Sequence, residues 1–387
     1  MIPARMRSIG VLVLAACGAG AVGVHAQQRA PLSVSLQHVL DSLRERAQVP
    51  GATAGMVLED GTVIALASGM ADTTEGRPME PTNLMLQGSV GKTYVAAVAM
   101  QLVQEGRLDL DAKVATYLGG EPWFAQLPNH ADVTVRQLMN HTSGIVRYEF
   151  DERFIADLLA QPDRIWRPEE QVAYLFGTEP PFAAGQGWDY SDTNYLLLGM
   201  IIERLTGSTY YAELGRRLLR PLALEATVPS DSRRIPGLVQ GYAGAENPFG
   251  PAEMLTDGVF AFNPQFEWTG GGIASTASDL ARWGKALYEG RAFDPALLPV
   301  MLDGVPARLG PNARYGLGVI IRPTGLGESW GHSGYFPGYL TEMAYFPDHR
   351  LAVAVQVNSS DFRSLRMSPF AMLVALAGAA IPAGSGP

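Results

Sequence analysis

Leu36, Val39, Leu40 and Leu43 recur at the spacing of one helix face, which predicts an amphipathic helix over 33–47, ended by Pro50-Gly51. Two strand-like runs follow, 52–58 and 62–68, on either side of Glu59-Asp60-Gly61. The Asp-Gly pair is a turn signal, so a β-hairpin is expected. From about residue 81 to 225 the periodicity is helical, most clearly over 89–106, 135–140, 195–207 and 210–219. Strand patterns return over 315–321, 329–332, 339–346 and 351–358. The apolar run 370–381 then reads as a helix docked on a sheet, because it is well short of the roughly 20 residues of a membrane span. Between 229 and 268 the chain is rich in Gly and Pro with weak periodicity, the pattern of long surface loops of the kind that line clefts.

Strands at both ends flanking a helical middle predict an α+β fold. Residues 33–80 and 226–381 would build a mainly antiparallel sheet flanked by helices, and 81–225 would be inserted as an all-helical lobe. A cleft is expected between the two.

Composition narrows the class. The 387 residues are 47% apolar and 17% charged, enough to bury a large core, and a net charge of -9 argues against a nucleic-acid partner. Arg5 and Arg7, an apolar run over 9–24 and the small-residue site Val24-His25-Ala26 read as an export signal over 1–26, giving a periplasmic or secreted protein. Leu14-Ala15-Ala16-Cys17 offers a second outcome, a lipoprotein signal over 1–16 with a lipid anchor on Cys17. Cys17 is the single cysteine, so the mature chain forms no internal disulfide and has no cysteine nucleophile in its fold.

The candidate chemistry begins at Gly88-Ser89-Val90-Gly91-Lys92, which opens a helix. Residues three apart share a helix face, so Ser89 Oγ and Lys92 Nζ can meet, and a serine hydroxyl becomes a strong nucleophile only when a base takes its proton. Ser89 as a helix cap and Lys92 as a solvated first-turn residue is the plain alternative, since Ser-x-x-Lys alone is a weak motif. Trp188 to Tyr195 is a polar and aromatic cluster just before an apolar helix. Its Asp192 or Thr193 could simply cap that helix, while Tyr190 beside a cationic lysine would ionise more readily and relay protons. Trp330-Gly331-His332-Ser333-Gly334, at the end of a short strand, would bring backbone N–H groups to an oxyanion, with His332 either functional or structural.

In this order, Ser-x-x-Lys, then Tyr-Ser-Asp leading into Thr-Asn-Tyr-Leu-Leu-Leu-Gly, then His-Ser-Gly, the chain resembles the class C β-lactamase superfamily. That superfamily also holds D-alanyl-D-alanine carboxypeptidases and related esterases. The resemblance runs from about residue 35 to 375 and includes His141-Thr142-Ser143-Gly144 and Gly270 to Thr276. It implies a β-lactamase/transpeptidase-like fold and an acyl-enzyme on Ser89. Lys92 and Tyr190 would share the proton transfers, and Asp192 would orient Lys92 and substrate. The N–H groups of Ser89 and Tyr335 would form the oxyanion hole, beside Ser333 and Gly334, and His332 would face the substrate's polar end.

Two departures bear on substrate. A histidine stands where β-lactamases usually carry lysine, and Asp192 replaces the more usual Asn; a carboxylate accepts hydrogen bonds but cannot donate them. Both favour D-amino-acid peptides or small esters over β-lactams. A non-catalytic member that binds peptidoglycan fragments or a protein is the reading of another class; it would gain from Lys92 lying far from Ser89 or from a loop filling the cleft. Gly327-Glu328-Ser329-Trp330-Gly331 matches Gly-x-Ser-x-Gly, but the strand-turn-helix setting of that motif is absent. The histidines lack metal-ligand spacing and no cofactor is implied. A small molecule or peptide is the expected partner.

Overall fold

The computed structural model describes residues 20–382, with side-chain environments from residue 32. Arg5, Arg7, Cys17 and the apolar run as far as residue 19 lie outside the described residues. In chain order, helix α1 (Gly20–Ala47) leads into strands β1 (Gly51–Val57) and β2 (Val63–Asp72). α2 (Lys92–Gln104) and α3 (Thr193–Thr206) are the long helices of the middle, and α4 (Ala277–Tyr288) returns the chain to the sheet. Strands β3 (Ile320–Thr324), β4 (Gly327–Phe336), β5 (Tyr339–Phe346) and β6 (Leu351–Val357) then precede α5 (Pro369–Ala380).

The sheet has nine antiparallel strands. Short strands Arg77–Pro78, Arg314–Tyr315 and Val305–Pro306 complete its edges around the order β2-β1-β6-β5-β4-β3. The expected hairpin closes between Val57 and Val63, with Leu58 N donating to Thr62 O at 2.9 Å. The β1–β6 pairing, from Ala52 opposite Val357 to Val57 opposite Ala352, joins the two ends of the chain.

Layering follows from which faces are apolar. β1, β5 and β6 are buried along their whole length, so helices must cover both faces. On one face α1 and α5 pack Leu36, Leu40, Leu43, Met372, Leu373 and Leu376 against Val353, Val355 and Val357. On the other, α4 lies so close to β1 that a Cβ on Gly55 would fall 2.1 Å from the Ala277 carbonyl oxygen. α4 begins where the Thr276 side chain accepts from Asp279 N. Among the described residues no helix is long and apolar enough to cross a membrane.

Several expectations change. α1 begins at Gly20 rather than 33, and β2 runs on to Asp72 rather than 68. The strand expected over 315–321 is broken at Gly318, whose φ of +76° turns the chain into β3. β4 is longer than 329–332 because its glycines accommodate neighbouring backbone rather than ending the strand; a Cβ on Gly331 would lie 1.9 Å from Met343 O. The segment 229–268 is irregular and only partly at the surface: Asp231, Glu246, Glu253 and Asp257 are exposed, but Phe249, Met254, Phe260, Phe262, Phe266 and Trp268 are buried, with Phe260 and Phe266 ring-to-ring with Phe336 at 5.7 and 5.8 Å. Its aromatic content, rather than its periodicity, is what puts it inside.

Each of Met372, Leu373 and Leu376 contributes about 1.5–3 kcal/mol by burial. Leu373→Ala is therefore expected to cost about 2–5 kcal/mol in urea unfolding, with kcat unchanged for the folded fraction because α5 is on the face away from the candidate site.

Candidate active site

Strand Met85–Leu86 pairs with Ala274 and Ser275, and Gln87 N donates to Ile273 O, which delivers the chain to Gly88. Gly88 has φ +52°, and a Cβ there would strike the Tyr335 backbone at 2.4 Å. A 3₁₀ turn, Gly88–Gly91, follows and runs into α2, so Ser89 and Lys92 fall on one face. Lys92 Nζ donates to Ser89 Oγ at 2.9 Å.

Lys92 is fully buried. Its ammonium also donates to Asp192 Oδ1 and to the Gly270 carbonyl oxygen, so all three of its N–H donors are used. Asp192 directly precedes α3 but makes no side-chain cap. Its second oxygen takes Arg147 Nη2 at 2.7 Å, and Arg147 Nε donates to Glu149. Burial pushes Asp192 up, but the Lys92 and Arg147 cations outweigh it and hold the carboxyl well below its ordinary range. Glu149 goes the other way: burial, then the Asp192 charge, raise it well above the usual carboxylate range, against the pull of Arg147.

The Tyr190 hydroxyl is buried beside Ser89 without a hydrogen bond of good geometry, and Lys92 Nζ lies 5.1 Å from its ring centre. The expected downward shift is not found. Burial, reinforced by Asp192, raises Tyr190 well above an ordinary phenol, so the resting side chain is neutral.

His332 does not face the cleft. It is buried, its Nε2 accepts from Tyr315 OH at 2.7 Å, and its Nδ1 donates to Ser333 O at 2.6 Å. Both ring nitrogens are therefore occupied, and burial, with Lys92 adding to it, lowers the imidazole to about 3. His141, which the sequence reading treats as structural, is buried with Nδ1 accepting from Ser191 N and Asn194 Nδ2. Ser333 is also misplaced by the sequence reading: strand alternation turns its hydroxyl to the α5 face, where Arg322 donates to it at 2.6 Å. Gly334 and Tyr335 do lie at the site. A Cβ on Gly334 would fall 1.8 Å from Gln87 O and 3.3 Å from Ser89 N, so glycine brings this strand edge against the serine turn. Ser329 is buried in β4 and donates to Arg322 O, so it is not a nucleophile elbow.

A cleft opens onto Ser89, lined by Arg147, Glu149, Asp192, Glu267, Gly270, Tyr335 and the aromatic rings of Phe150, Phe249, Phe266 and Phe336. Arg147, Glu149 and Glu267 were missed from sequence. Charged and aromatic residues alternating in a stretch without helical periodicity, Arg147-Tyr148-Glu149-Phe150, were the available signal. Glu267 Oε2 is buried without a partner, and burial pushes this carboxyl up to about 8 against the pull of Lys92.

A serine held by a buried lysine at the mouth of a cleft is the architecture of a serine hydrolase, and the comparisons place the chain in that class. Residues 36–376 match the model of the Beta-lactamase family, and the chain belongs to it. It is 30% identical to esterase EstB of Burkholderia gladioli over 81% of this chain and 82% of that protein. It is 27% identical to a D-aminopeptidase of Cereibacter sphaeroides over 91% of this chain, spanning 65% of that protein's length. The crystal structure of D-amino acid amidase from Ochrobactrum anthropi SV3 complexed with D-phenylalanine superposes with a TM-score of 0.77 at 27% identity, over 90% of this chain and 99% of that one.

The histidine geometry is directly testable. Two-bond ¹H–¹⁵N spectra are expected to show His332 neutral with its proton on Nδ1, and His141 neutral with its proton on Nε2, from pH 7 to 4.5. Because unfolded histidines protonate near pH 6.5 and these do not, stability is expected to fall as pH drops from 6.5 toward 3.

Proposed function

We propose that this protein is an exported acyl-enzyme hydrolase for amides and peptides of D-amino acids that carry a free amino group and an apolar side chain. The observation that carries the substrate reading is Glu267, a buried carboxyl whose Oε2 has no hydrogen-bond partner, in an aromatic-lined cleft beside Ser89. A substrate ammonium supplies that partner and draws the carboxyl, which burial pushes up to about 8, into its ionised form, and the Phe rings accept an apolar side chain. The D-aminopeptidase and D-amino acid amidase relatives support the stereochemistry. The 2.9 Å contact of Lys92 with Ser89 and the open cleft count against a purely binding role.

In the reaction, the resting Lys92 ammonium and Tyr190 phenol together hold one proton more than the reactive form. Once that proton leaves, Ser89 Oγ attacks the carbonyl carbon and its proton passes to the Lys92–Tyr190 pair. The N–H groups of Ser89 and Tyr335 receive the oxyanion, the pair protonates the leaving amine, and water then hydrolyses the ester on Ser89. Asp192 holds Lys92 in place through the cycle. Because the attacking form is the one that has lost the pair's extra proton, the rate is expected to rise with pH.

The test is turnover of D-phenylalanine amide, its L enantiomer, its N-acetyl derivative and a p-nitrophenyl ester, with fluorophosphonate labelling mapped by mass spectrometry. Labelling at Ser89 is expected, with loss of labelling and at least about a 1,000-fold loss of turnover in Ser89→Ala. Glu267→Gln is expected to raise KM for the D-amide about tenfold or more without slowing labelling. Ester turnover with no amide turnover would replace the amidase reading with an esterase, the reading that the EstB relative favours.

Arg5, Arg7, the apolar run to Val24 and the Val24-His25-Ala26 site support export. Amino-terminal analysis of protein recovered from the native host is expected to give Gln27, with a lipidated Cys17 as the other export outcome and an intact Met1 refuting export.

A further inference from the structure

Asp192 is placed between two cations. Oδ1 accepts from Lys92 and Oδ2 accepts from Arg147 Nη2 at 2.7 Å, and among the described residues these are its two ion-pair partners. The Arg147 guanidinium is itself held in place: it lies 4.4 Å from the Phe150 ring centre and 5.3 Å from that of Tyr190, and its Nε is tied to Glu149. It is partly exposed, whereas Lys92 is not.

A carboxylate bound to Lys92 alone would favour the ammonium and oppose its use as a base. With a guanidinium on its other oxygen, the same carboxylate is already half of a neutral pair, and the field it exerts on Lys92 is that of a dipole rather than a full anion. We propose that Arg147 is a positioning residue for the reaction, occupying the second oxygen of Asp192 so that Lys92 is held in place yet releases its proton readily. The inference rests on the Ser89–Lys92 reading given above.

The other groups around Lys92 do not supply this effect. From the segment before α3 come Tyr190 and, within α3, Tyr195, both neutral phenols. Ser89 and the Gly270 carbonyl are uncharged, and His141 and His332 are neutral at pH 7. Burial pushes Glu267 up to about 8, and burial with the Asp192 charge raises Glu149, which faces Asp192, well above an ordinary carboxyl, so both are biased toward the neutral acid. Arg147 is the cation that sits on the oxygen of Asp192 that Lys92 leaves free.

The experiment measures the rate of Ser89 labelling by a small neutral fluorophosphonate against pH, so that recognition of a charged substrate plays no part. Arg147→Met keeps much of the packing between Phe150 and Tyr190 and removes the charge; Arg147→Gln does the same with a smaller apolar contact; Arg147→Lys keeps the charge. Both neutral variants are expected to move the acid limb up by at least about one pH unit, giving about tenfold slower labelling below the midpoint and an unchanged high-pH plateau. Arg147→Lys is expected to restore the wild-type midpoint. A folded neutral variant with an unmoved midpoint and a lowered plateau overturns the proposal, as does Arg147→Lys behaving like Arg147→Met. If both neutral variants fail to fold, the wild-type midpoint in 1 M salt decides: the partly exposed Arg147 charge is screened while the buried Lys92–Asp192 contact is not, so the limb must move up, and an unmoved limb overturns the proposal. A wild-type protein that is not labelled at Ser89 fails the functional reading instead.

Discussion

Lys92 has no exposed surface, and a cation removed from water persists only where counter-charge and dipoles replace its hydration. Three unrelated stretches of chain meet to do this: the serine turn at residues 88–91, Asp192 at the head of α3, and the Gly270 carbonyl at the end of a 3₁₀ segment. None of these contacts is local beyond the Ser89 pair. The helical middle and the chain that returns to the sheet are therefore bound to one another at the same point where the chemistry is located, and the requirement to neutralise one ammonium fixes the relative positions of all three.

Close backbone approach is the second constraint at this point. Gly88, Gly91, Gly271 and Gly334 each sit where a Cβ would overlap another segment's backbone, so the serine turn, the 270–272 segment and the edge of β4 interlock without side chains between them. That is how the Ser89 and Tyr335 backbones come together although the residues are far apart in sequence.

Much of the fold was legible because its signals are periodic. β1, β5, β6, α5 and the four clearest helical segments of the middle fall within a residue or two of their expected bounds, whereas β2 runs four residues past its expected end and the helix Glu152–Ala160 was not singled out; Ser89 with Lys92 is legible because helical spacing alone determines that they meet. What was not legible depends on partners remote in sequence. His332 has the residue type of a substrate contact, but Tyr315, 17 residues earlier, occupies its Nε2 and removes it from that role. Ser333 follows it directly and is carried to the opposite face by strand alternation. Arg147 and Glu149 sit in irregular chain and Glu267 in a kinked 3₁₀ segment, where no long period indicates direction, and their protonation is set by burial and by neighbouring charges. Asp192 was read as a replacement for an amide; the guanidinium bound to it accounts for how a carboxylate is accommodated there.

The pairing of β1 with β6 has a consequence for synthesis. The ribosome makes the Ser89 turn in the first quarter of the chain, but the strand edge that abuts it is β4, and β4 is held in the sheet through β5 and β6 from the last fifth. α2 and α3 can bury one another early, yet the backbone contact between β4 and the serine turn requires strands that follow them by more than a hundred residues. Loss of β6 is thus expected to reach Ser89 indirectly, by removing the support of the strand that abuts its turn.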